Sequence, residues 1–250
     1  MSSVSAIEWT EMTWNPVTGC DRVSPGCDHC YAQTLARRLK AMGSPRYQKD
    51  GRPRTSGPGF GVTMHWDKLE EPLSRKKPTM FFVNSMSDLF HDKVTTKFIV
   101  DVFEVMASTP QHTYQVLTKR PRRMASFTRT HAVPDNVWLG TSVENQEWSE
   151  RRVPLLLEVR VRIRFLSCEP LLGPVDLSEW IDGLSWVIVG GESGPGFRPM
   201  KPEWARMLRD QCVEAGVPYF FKQWGGRTPK AGGRLLDNGT WNQMPLELTG

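Results

Sequence analysis

The sequence predicts an α/β protein, a partial or complete (β/α) barrel of mostly parallel strands with an N-terminal cysteine-cluster loop and a small C-terminal β-hairpin. Short, largely apolar runs recur without the alternation typical of half-exposed strands, which indicates strands buried on both faces. Segments that can be helical separate these runs, as successive βα units require. The runs are MFFVNSMSD (80–88), YQVLTKRP (114–121), VWLGTSVEN (137–145), IRFLSCEP (163–170), WVIVGGESG (186–194) and YFFKQWGG (219–226).

Two connecting segments carry helix signals at their ends. Segment 95–109 places apolar residues at helical spacing behind Thr95, a candidate N-cap. Segment 201–216 has Pro202 near its start and Gly216 near its end, the positions that these residues favour in helices. A further helical stretch, YAQTLARRLKAM, directly follows the last cysteine of the N-terminal cluster.

We expect one domain over the whole chain, residues 1–250. Its parts are the cluster loop with a lid rich in Arg, Gly and Pro (1–75), the βα repeats (76–225) and a C-terminal tail (226–250). The lid segment, 43–65, shows no periodicity and predicts a long loop. In the tail, Asp237-Asn238-Gly239 predicts the turn of a terminal hairpin.

The chain carries a net charge of +5, and its basic residues are unevenly spread. Such clusters suit a polyanion such as nucleic acid, and a solvated basic surface without a ligand fits them equally. The arginines that we nominate for nucleic-acid contact are Arg37, Arg38, Arg52, Arg54, Arg120, Arg122 and Arg123.

No stretch of the chain approaches the ~20 consecutive apolar residues of a membrane helix. The start, MSSVSAIEWTEMTWNP, lacks the charged and then apolar pattern of a signal peptide. We therefore expect a cytoplasmic protein that has no membrane partner.

Three of the five cysteines lie close together as C-x6-C-x2-C: Cys20, Cys27 and Cys30. A tight cysteine cluster in a reducing compartment more often binds metal or performs chemistry than forms disulfides. Structural zinc takes four protein ligands, and the fourth would have to come from Asp28, His29, Cys168 or Cys212. Three thiolates without a fourth partner fit a 4Fe-4S cluster that keeps one iron open.

Polar and charged residues follow each apolar run, where the carboxyl ends of parallel strands gather ligands. Ordinary turns explain some of these positions. They explain Glu169, Glu192 and Lys222 less well, because charged groups at the top of a parallel sheet are costly unless they are paired or used.

The motif GCDHCYA resembles the cluster loop of the radical S-adenosylmethionine superfamily, with His29 where an aromatic residue often stands. The first gap here has six residues, whereas the common form has three. The chain as a whole, from TWNP through FVNSMSDLFH, VLTKRP, WLGTSVEN, FLSCEPLLG and VGGESG to FFKQWGG, resembles an uncharacterised phage-associated three-cysteine family. That family implies a fold and a cluster without naming a substrate.

The superfamily resemblance implies two cofactors, a 4Fe-4S cluster on Cys20, Cys27 and Cys30 and S-adenosyl-L-methionine on the open iron. It also implies an electron donor as a partner and reductive cleavage of the sulfonium, with the protein orienting and shielding the cofactors. By their positions we nominate as cofactor-binding residues Asn84, Ser85, Ser142, Glu169, Gly190, Gly191 and Glu192, and as catalytic residues Lys119, Glu144 and Glu192. Gly190-Gly191-Glu192 has the same sequence as a Gly-Gly-Glu stretch that often contacts the methionine amino group in the superfamily. That stretch usually follows an early strand, whereas it follows a late strand here.

Two other functions fit the same residues. The chain could be a zinc or iron-sulfur protein that holds nucleic acid without radical chemistry. It could also be a hydrolase or glycosylase that uses Glu144, Glu169 and Glu192, with structural cysteines. None of these alternatives identifies the substrate.

Overall fold

Seven parallel strands and one antiparallel edge strand build the main sheet in the computed structural model, which describes residues 3–5 and 7–245. In chain order the strands are β1 (Ser3–Val4), β2 (Met12–Trp14), β3 (Val17–Thr18), β4 (Thr63–Met64), β5 (Met80–Val83), β6 (Thr113–Thr118), β7 (Val137–Ser142), β8 (Ile163–Cys168), β9 (Trp186–Gly190) and β10 (Tyr219–Gln223). The main sheet has the order β1-β2-β5-β6-β7-β8-β9-β10, while β3 and β4 pair antiparallel in a small second sheet. The main sheet curls into a half-barrel, as the predicted partial barrel requires.

The six predicted apolar runs form β5 to β10, so the βα repeat is confirmed. Strand β2, which pairs with β5, is three residues long and is not revealed by the apolar pattern. It leads through β3 into the cysteine loop. The loop therefore begins beside the carboxyl ends of the parallel strands.

The described α-helices are α1 (Tyr31–Ala41), α2 (Thr96–Ala107), α3 (Pro121–Thr128), α4 (Gln146–Leu157) and α5 (Pro202–Ala215). The predicted end signals of α2 and α5 are confirmed. The Thr95 side chain accepts a hydrogen bond from the Phe98 amide at 3.3 Å. Gly216 follows α5 with φ of +67°, the left-handed conformation that glycine adopts at helix ends without a steric cost.

The predicted long loop, 43–65, is irregular apart from a 3-10 turn over Pro45–Tyr47 and strand β4 at its end. It is nevertheless packed, because Tyr47 and Phe60 are buried against α1. Thr55 and Ser56 of this segment form hydrogen bonds with Asp21 of the cysteine loop, so the segment lies beside that loop.

The C-terminal turn matches the prediction in a minimal form. Leu236 and Gly239 exchange two backbone hydrogen bonds, of 3.0 and 3.1 Å, around Asp237 and Asn238, which both have positive φ. Beyond this turn, Asn242 forms one antiparallel bridge with Phe220 of β10. Residues 246–250 of the predicted tail and domain, like residues 1, 2 and 6, lie outside the described residues.

The concave face of the half-barrel is filled by aromatic rings near the amino ends of its strands. Trp186 lies at their centre, with ring centroids 6.1 Å from Trp9, 6.0 Å from Trp138 and 6.0 Å from Phe220. The convex face packs against the helices in a second, larger core. The rings occupy one end of the barrel interior, so the carboxyl end remains for a ligand.

Candidate functional site

A cavity of about 660 Å³ opens at the carboxyl ends of the parallel strands. Aromatic and aliphatic side chains form its floor, among them Trp9, Phe82 and Leu117. Of the predicted site residues, those that line it are Cys20, Cys27, Cys30, Asn84, Ser85, Lys119, Ser142, Glu169, Gly191 and Glu192. Most of the nominated residues therefore share one space, whereas Glu144 and Gly190 lie just outside its wall.

The three clustered cysteines occupy the loop between β3 and α1. Cys27 ends a 3-10 turn and Cys30 directly precedes α1. All three are free, partly buried thiols, whereas Cys168 and Cys212 are free and fully buried. Within residues 3–5 and 7–245, no three Cys, His, Asp or Glu side chains form a ready-made metal site. Metal binding by this trio stays a prediction.

The chemistry of these donors suits a thiophilic metal centre. Burial raises the pKa of the Cys20 thiol to about 12, and it also raises the pKa of Cys30. Metal and cluster binding need the thiolate form, so a bound cation would repay the cost of deprotonation. Three sulfurs on one cavity wall fit an iron-sulfur cluster or zinc.

Arg120 reaches this wall from the end of β6. Its Nη1 donates to Cys20 Sγ at 3.3 Å and to Asp88 Oδ2 at 2.9 Å, and its Nη2 donates to the Asp21 carbonyl at 2.9 Å. Asp88 is held in turn by the Thr118 hydroxyl at 2.7 Å. The guanidinium thus faces the cysteine loop, and its side chain is only 12% exposed.

Glu144 supports the cysteine loop from behind. It is fully buried and accepts hydrogen bonds from Ser24 Oγ at 2.7 Å and Arg152 Nη1 at 3.2 Å, with Lys119 Nζ 3.6 Å away. A Cβ on Gly26 would lie 2.5 Å from the Glu144 side chain, so the loop backbone packs directly on this carboxylate. Glu144, nominated as catalytic, is placed to position the loop.

Glu192 holds the same loop from the side of β9. Its Oε2 lies 2.9 Å from His29 Nδ1 and accepts from the Arg198 amide at 2.8 Å, while Arg198 Nη2 donates to the Pro25 carbonyl at 2.8 Å. Burial alone would raise the pKa of Glu192, but the hydrogen bonds from Arg198 and His29 outweigh it and lower the pKa. The carboxylate is therefore ionised, and His29 turns toward it, with its Nδ1 as the donor.

Glu169 and Lys222 form an ion pair of 2.9 Å in the cavity wall, and Ser167 Oγ donates to Glu169 at 3.2 Å. Gly190 leaves room for this pair, because a Cβ there would lie 2.6 Å from Glu169 Oε1. Gly191 allows close approach of the next strand's loop, since its Cβ would lie 1.9 Å from the Trp224 carbonyl. The charges at the strand ends are thus paired.

Asn84 is the clearest free hydrogen-bond donor on the cavity wall. Its backbone has φ of +62°, and its Oδ1 accepts from the Val17 amide at 3.1 Å. Its Nδ2 is buried and has no partner within the part of the chain that is described. A buried donor without a partner is costly, so a ligand that accepts from Asn84 would be favoured.

Five of the other six nominated arginines lie on the outer surface. Arg37, Arg38, Arg52, Arg54 and Arg122 are exposed. Arg123 is partly buried and donates to the carbonyls of His91 and Val94. Sequence reasoning missed Arg152 and Arg198, because their partners lie on distant segments and nothing in their local sequence signals the contact.

The chain belongs to the family described as "Protein of unknown function (DUF5131)", which matches residues 4–245. No curated protein matches it. No described helix is long and apolar enough to cross a membrane.

The fold is similar to that of spore photoproduct lyase. The structure of that enzyme with dinucleoside spore photoproduct has 11% identity and a TM-score of 0.51, over 86% of this chain and 64% of that one. A variant with bound AdoMet and dinucleoside spore photoproduct has 12% identity and a TM-score of 0.51, over the same shares, 86% and 64%. The chain thus spans less than two thirds of the lyase, and the likeness is one of fold.

Proposed function

We propose that this protein is a radical S-adenosylmethionine enzyme in which Cys20, Cys27 and Cys30 hold a 4Fe-4S cluster. The main support is the position of three free thiols on one wall of a cavity at the carboxyl end of a parallel half-barrel. A protein of the same fold has been solved with bound AdoMet. When bound, the cluster supplies the electron that cleaves S-adenosylmethionine, and an electron donor must restore it.

The residues of this chain would orient and shield the cofactors. Asn84 Nδ2 offers a donor to a carboxylate or hydroxyl, and Ser142 adds a hydroxyl on the same wall. The apolar floor at Trp9 and Phe82 limits water near the reacting groups. Glu144 and Glu192 would keep the cysteine loop in one position through Ser24 and His29.

We propose a nucleic acid or nucleotide as the substrate class. The net charge of +5 and the exposed arginines favour a polyanion. Spore photoproduct lyase, which has a similar fold, has been solved in complex with dinucleoside spore photoproduct. The phage-associated family and a cytoplasmic location stay predictions.

The geometry gives less support to a hydrolase that uses the three glutamates. Each carboxylate is held by a basic side chain, Glu144 by Arg152, Glu169 by Lys222 and Glu192 by Arg198. None of the three is therefore placed as a free general base. The competing function is that of a metal protein that binds nucleic acid without radical chemistry, and experiment must distinguish it from the radical enzyme.

Anaerobic reconstitution with iron and sulfide tests the proposal. We expect a broad absorbance near ~400 nm, typical of iron-sulfur proteins, and 5′-deoxyadenosine from S-adenosylmethionine and dithionite. Cys27→Ala should lose both signals, whereas Cys212→Ala, which removes a thiol inside α5, should keep both. Tightly bound zinc without sulfide, and no 5′-deoxyadenosine from wild type, would contradict the proposal and favour the competing function.

A further inference from the structure

An exposed surface that combines arginines with apolar side chains borders the cysteine loop. We call it the arginine rim and define it by Arg37 and Arg38 on α1, Arg52 and Arg54 on the segment 52–56, and the side chain of Tyr31. The four arginines are exposed, and Tyr31 is 56% exposed while it also lines the cavity. The rim therefore continues into the cavity mouth.

Hydrogen bonds fasten the parts of the rim to one another and to the cysteine loop. Gln33 Nε2 on α1 donates to the Ser56 carbonyl. The Thr55 hydroxyl donates to Asp21 Oδ1 at 2.6 Å, and the Arg22 amide donates to the Thr55 carbonyl at 3.0 Å. The backbone segments that carry the arginines are thus held beside the cysteine loop.

The charges of the rim are available to a ligand. Within the described part of the chain, none of its four guanidinium groups forms a salt bridge or hydrogen bond. Neighbouring basic groups differ, since Arg22 pairs with Asp28 and Lys40 pairs with Asp50. Four unpaired positive charges on two joined segments form a site with the charge that phosphates need.

Apolar side chains accompany these charges. Leu35, one helical turn after Tyr31, is 41% exposed, and Val23 on the cysteine loop is 36% exposed. The Tyr31 hydroxyl donates to the Ser85 carbonyl, which fixes the ring at the cavity edge. Fixed aromatic rings next to arginines are the common means of holding unstacked bases.

We propose that the arginine rim binds single-stranded nucleic acid, with its arginines on the phosphates and a base stacked on Tyr31, so that the next nucleotide faces the cavity. The substrate role of that nucleotide rests on the proposed function, whereas binding itself needs no radical chemistry. A single strand fits better than a duplex, because a base must leave the stack to reach an enclosed site.

Fluorescence anisotropy on the anaerobically reconstituted protein tests this surface, with labelled 12-mers of oligo-dT and oligo-U and a duplex of the same length. Arg37→Glu/Arg38→Glu and Arg52→Glu/Arg54→Glu should each weaken single-strand binding about tenfold or more. For two lost phosphate contacts, the negative slope of log affinity against log salt should become shallower by about 1.4. The two oligomers show whether DNA or RNA is preferred.

The matched control is Lys76→Glu/Lys77→Glu, which makes the same charge change on exposed residues before the amino end of β5. It should weaken binding less than about threefold, since only the long-range field changes. Tyr31→Ala should weaken binding about fivefold or more, by the loss of one stacked base. Tyr31→Phe keeps the ring and loses only the hydroxyl contact with Ser85, so it should weaken binding less than Tyr31→Ala.

Equal losses in the rim and control variants, tighter binding of the duplex, or no binding by wild type would overturn the proposal. The last result would also suit a rim that contacts a protein. If wild type forms 5′-deoxyadenosine normally but does not bind the oligonucleotides, the proposal for the arginine rim is refuted and the proposed function stands. Intact binding without 5′-deoxyadenosine refutes the proposed function alone.

Discussion

The two ends of the concave face are built by the same strands and have opposite character. In β7 and β8, Trp138 and Phe165 lie near the amino ends, and Ser142 and Ser167 lie on the same face near the carboxyl ends. In β10, Phe220 and Lys222 show the same change over two residues. Alternate residues of a strand share a face, so each of these three strands supplies a ring near its amino end and a polar group near its carboxyl end.

We expect the aromatic end, or ring end, to contribute mainly to stability and the polar end mainly to ligand binding. The rings form one buried cluster, and burial of such side chains is the main favourable term in folding. The polar end holds an open cavity and buried charges, which are costly unless they are paired or used. Variants at the two ends should therefore affect different measurements.

The largest effect on stability is expected for Trp186→Ala at the ring end. Removal of the central ring leaves a cavity between Trp9, Trp138 and Phe220, and it should lower the free energy of unfolding by about 3–5 kcal/mol in urea denaturation. The control is Trp66→Ala, whose side chain is 50% exposed and should cost about 1 kcal/mol. Similar losses for both variants would show that the ring end is not the stabilising core.

Glu144→Gln at the polar end should act on both measurements. It leaves Arg152 buried without its charge partner, which should cost about 3 kcal/mol. It also loosens the cysteine loop at Ser24, so iron content after reconstitution should fall. Glu147→Gln removes the partner of exposed Arg151 and should cost no more than about 0.5 kcal/mol with full iron content. An iron content of wild-type level in Glu144→Gln would refute the positioning role.

Gly26→Ala should affect iron binding much more than it affects stability. The new Cβ would lie 2.5 Å from Glu144, so the loop must move away from the carboxylate. We expect a severalfold loss of bound iron, with a loss of unfolding free energy of only about 1 kcal/mol, since the rings are untouched. Gly239→Ala, where a Cβ meets no atom closer than 3.7 Å, should bind iron normally. Equal iron in both variants would contradict the close packing of this loop.

The smallest effect is expected for Arg120→Lys, and it should be electrochemical. A donor and positive charge 3.3 Å from Cys20 Sγ stabilises a more negative, reduced centre. Arg120→Lys keeps the charge but loses the forked contact, so the midpoint potential should become more negative, and Arg120→Gln should shift it further. Arg122→Lys, on the exposed face of α3, should leave the potential unchanged. A potential independent of Arg120 would contradict a centre at Cys20.

The repeated apolar runs were sufficient to predict β5 to β10, because strands buried on both faces have a distinctive composition. The same uniformity hides which residues face the barrel interior, so the ring cluster around Trp186 could not be predicted. The strand-end positions brought Asn84, Ser142 and Glu169 to one cavity, as expected. The inward turn of Arg120 and the Arg198 contact with Glu192 depend on long-range packing, which single-sequence patterns do not contain.

The most direct test of the central claim is electron paramagnetic resonance of the reduced, anaerobically reconstituted protein, recorded before and after addition of S-adenosylmethionine. The account predicts a 4Fe-4S signal that changes when the cofactor binds, because three cysteines leave one iron open to it. A signal unaffected by S-adenosylmethionine, or a lone zinc ion closed by a fourth side chain of the protein, would contradict it.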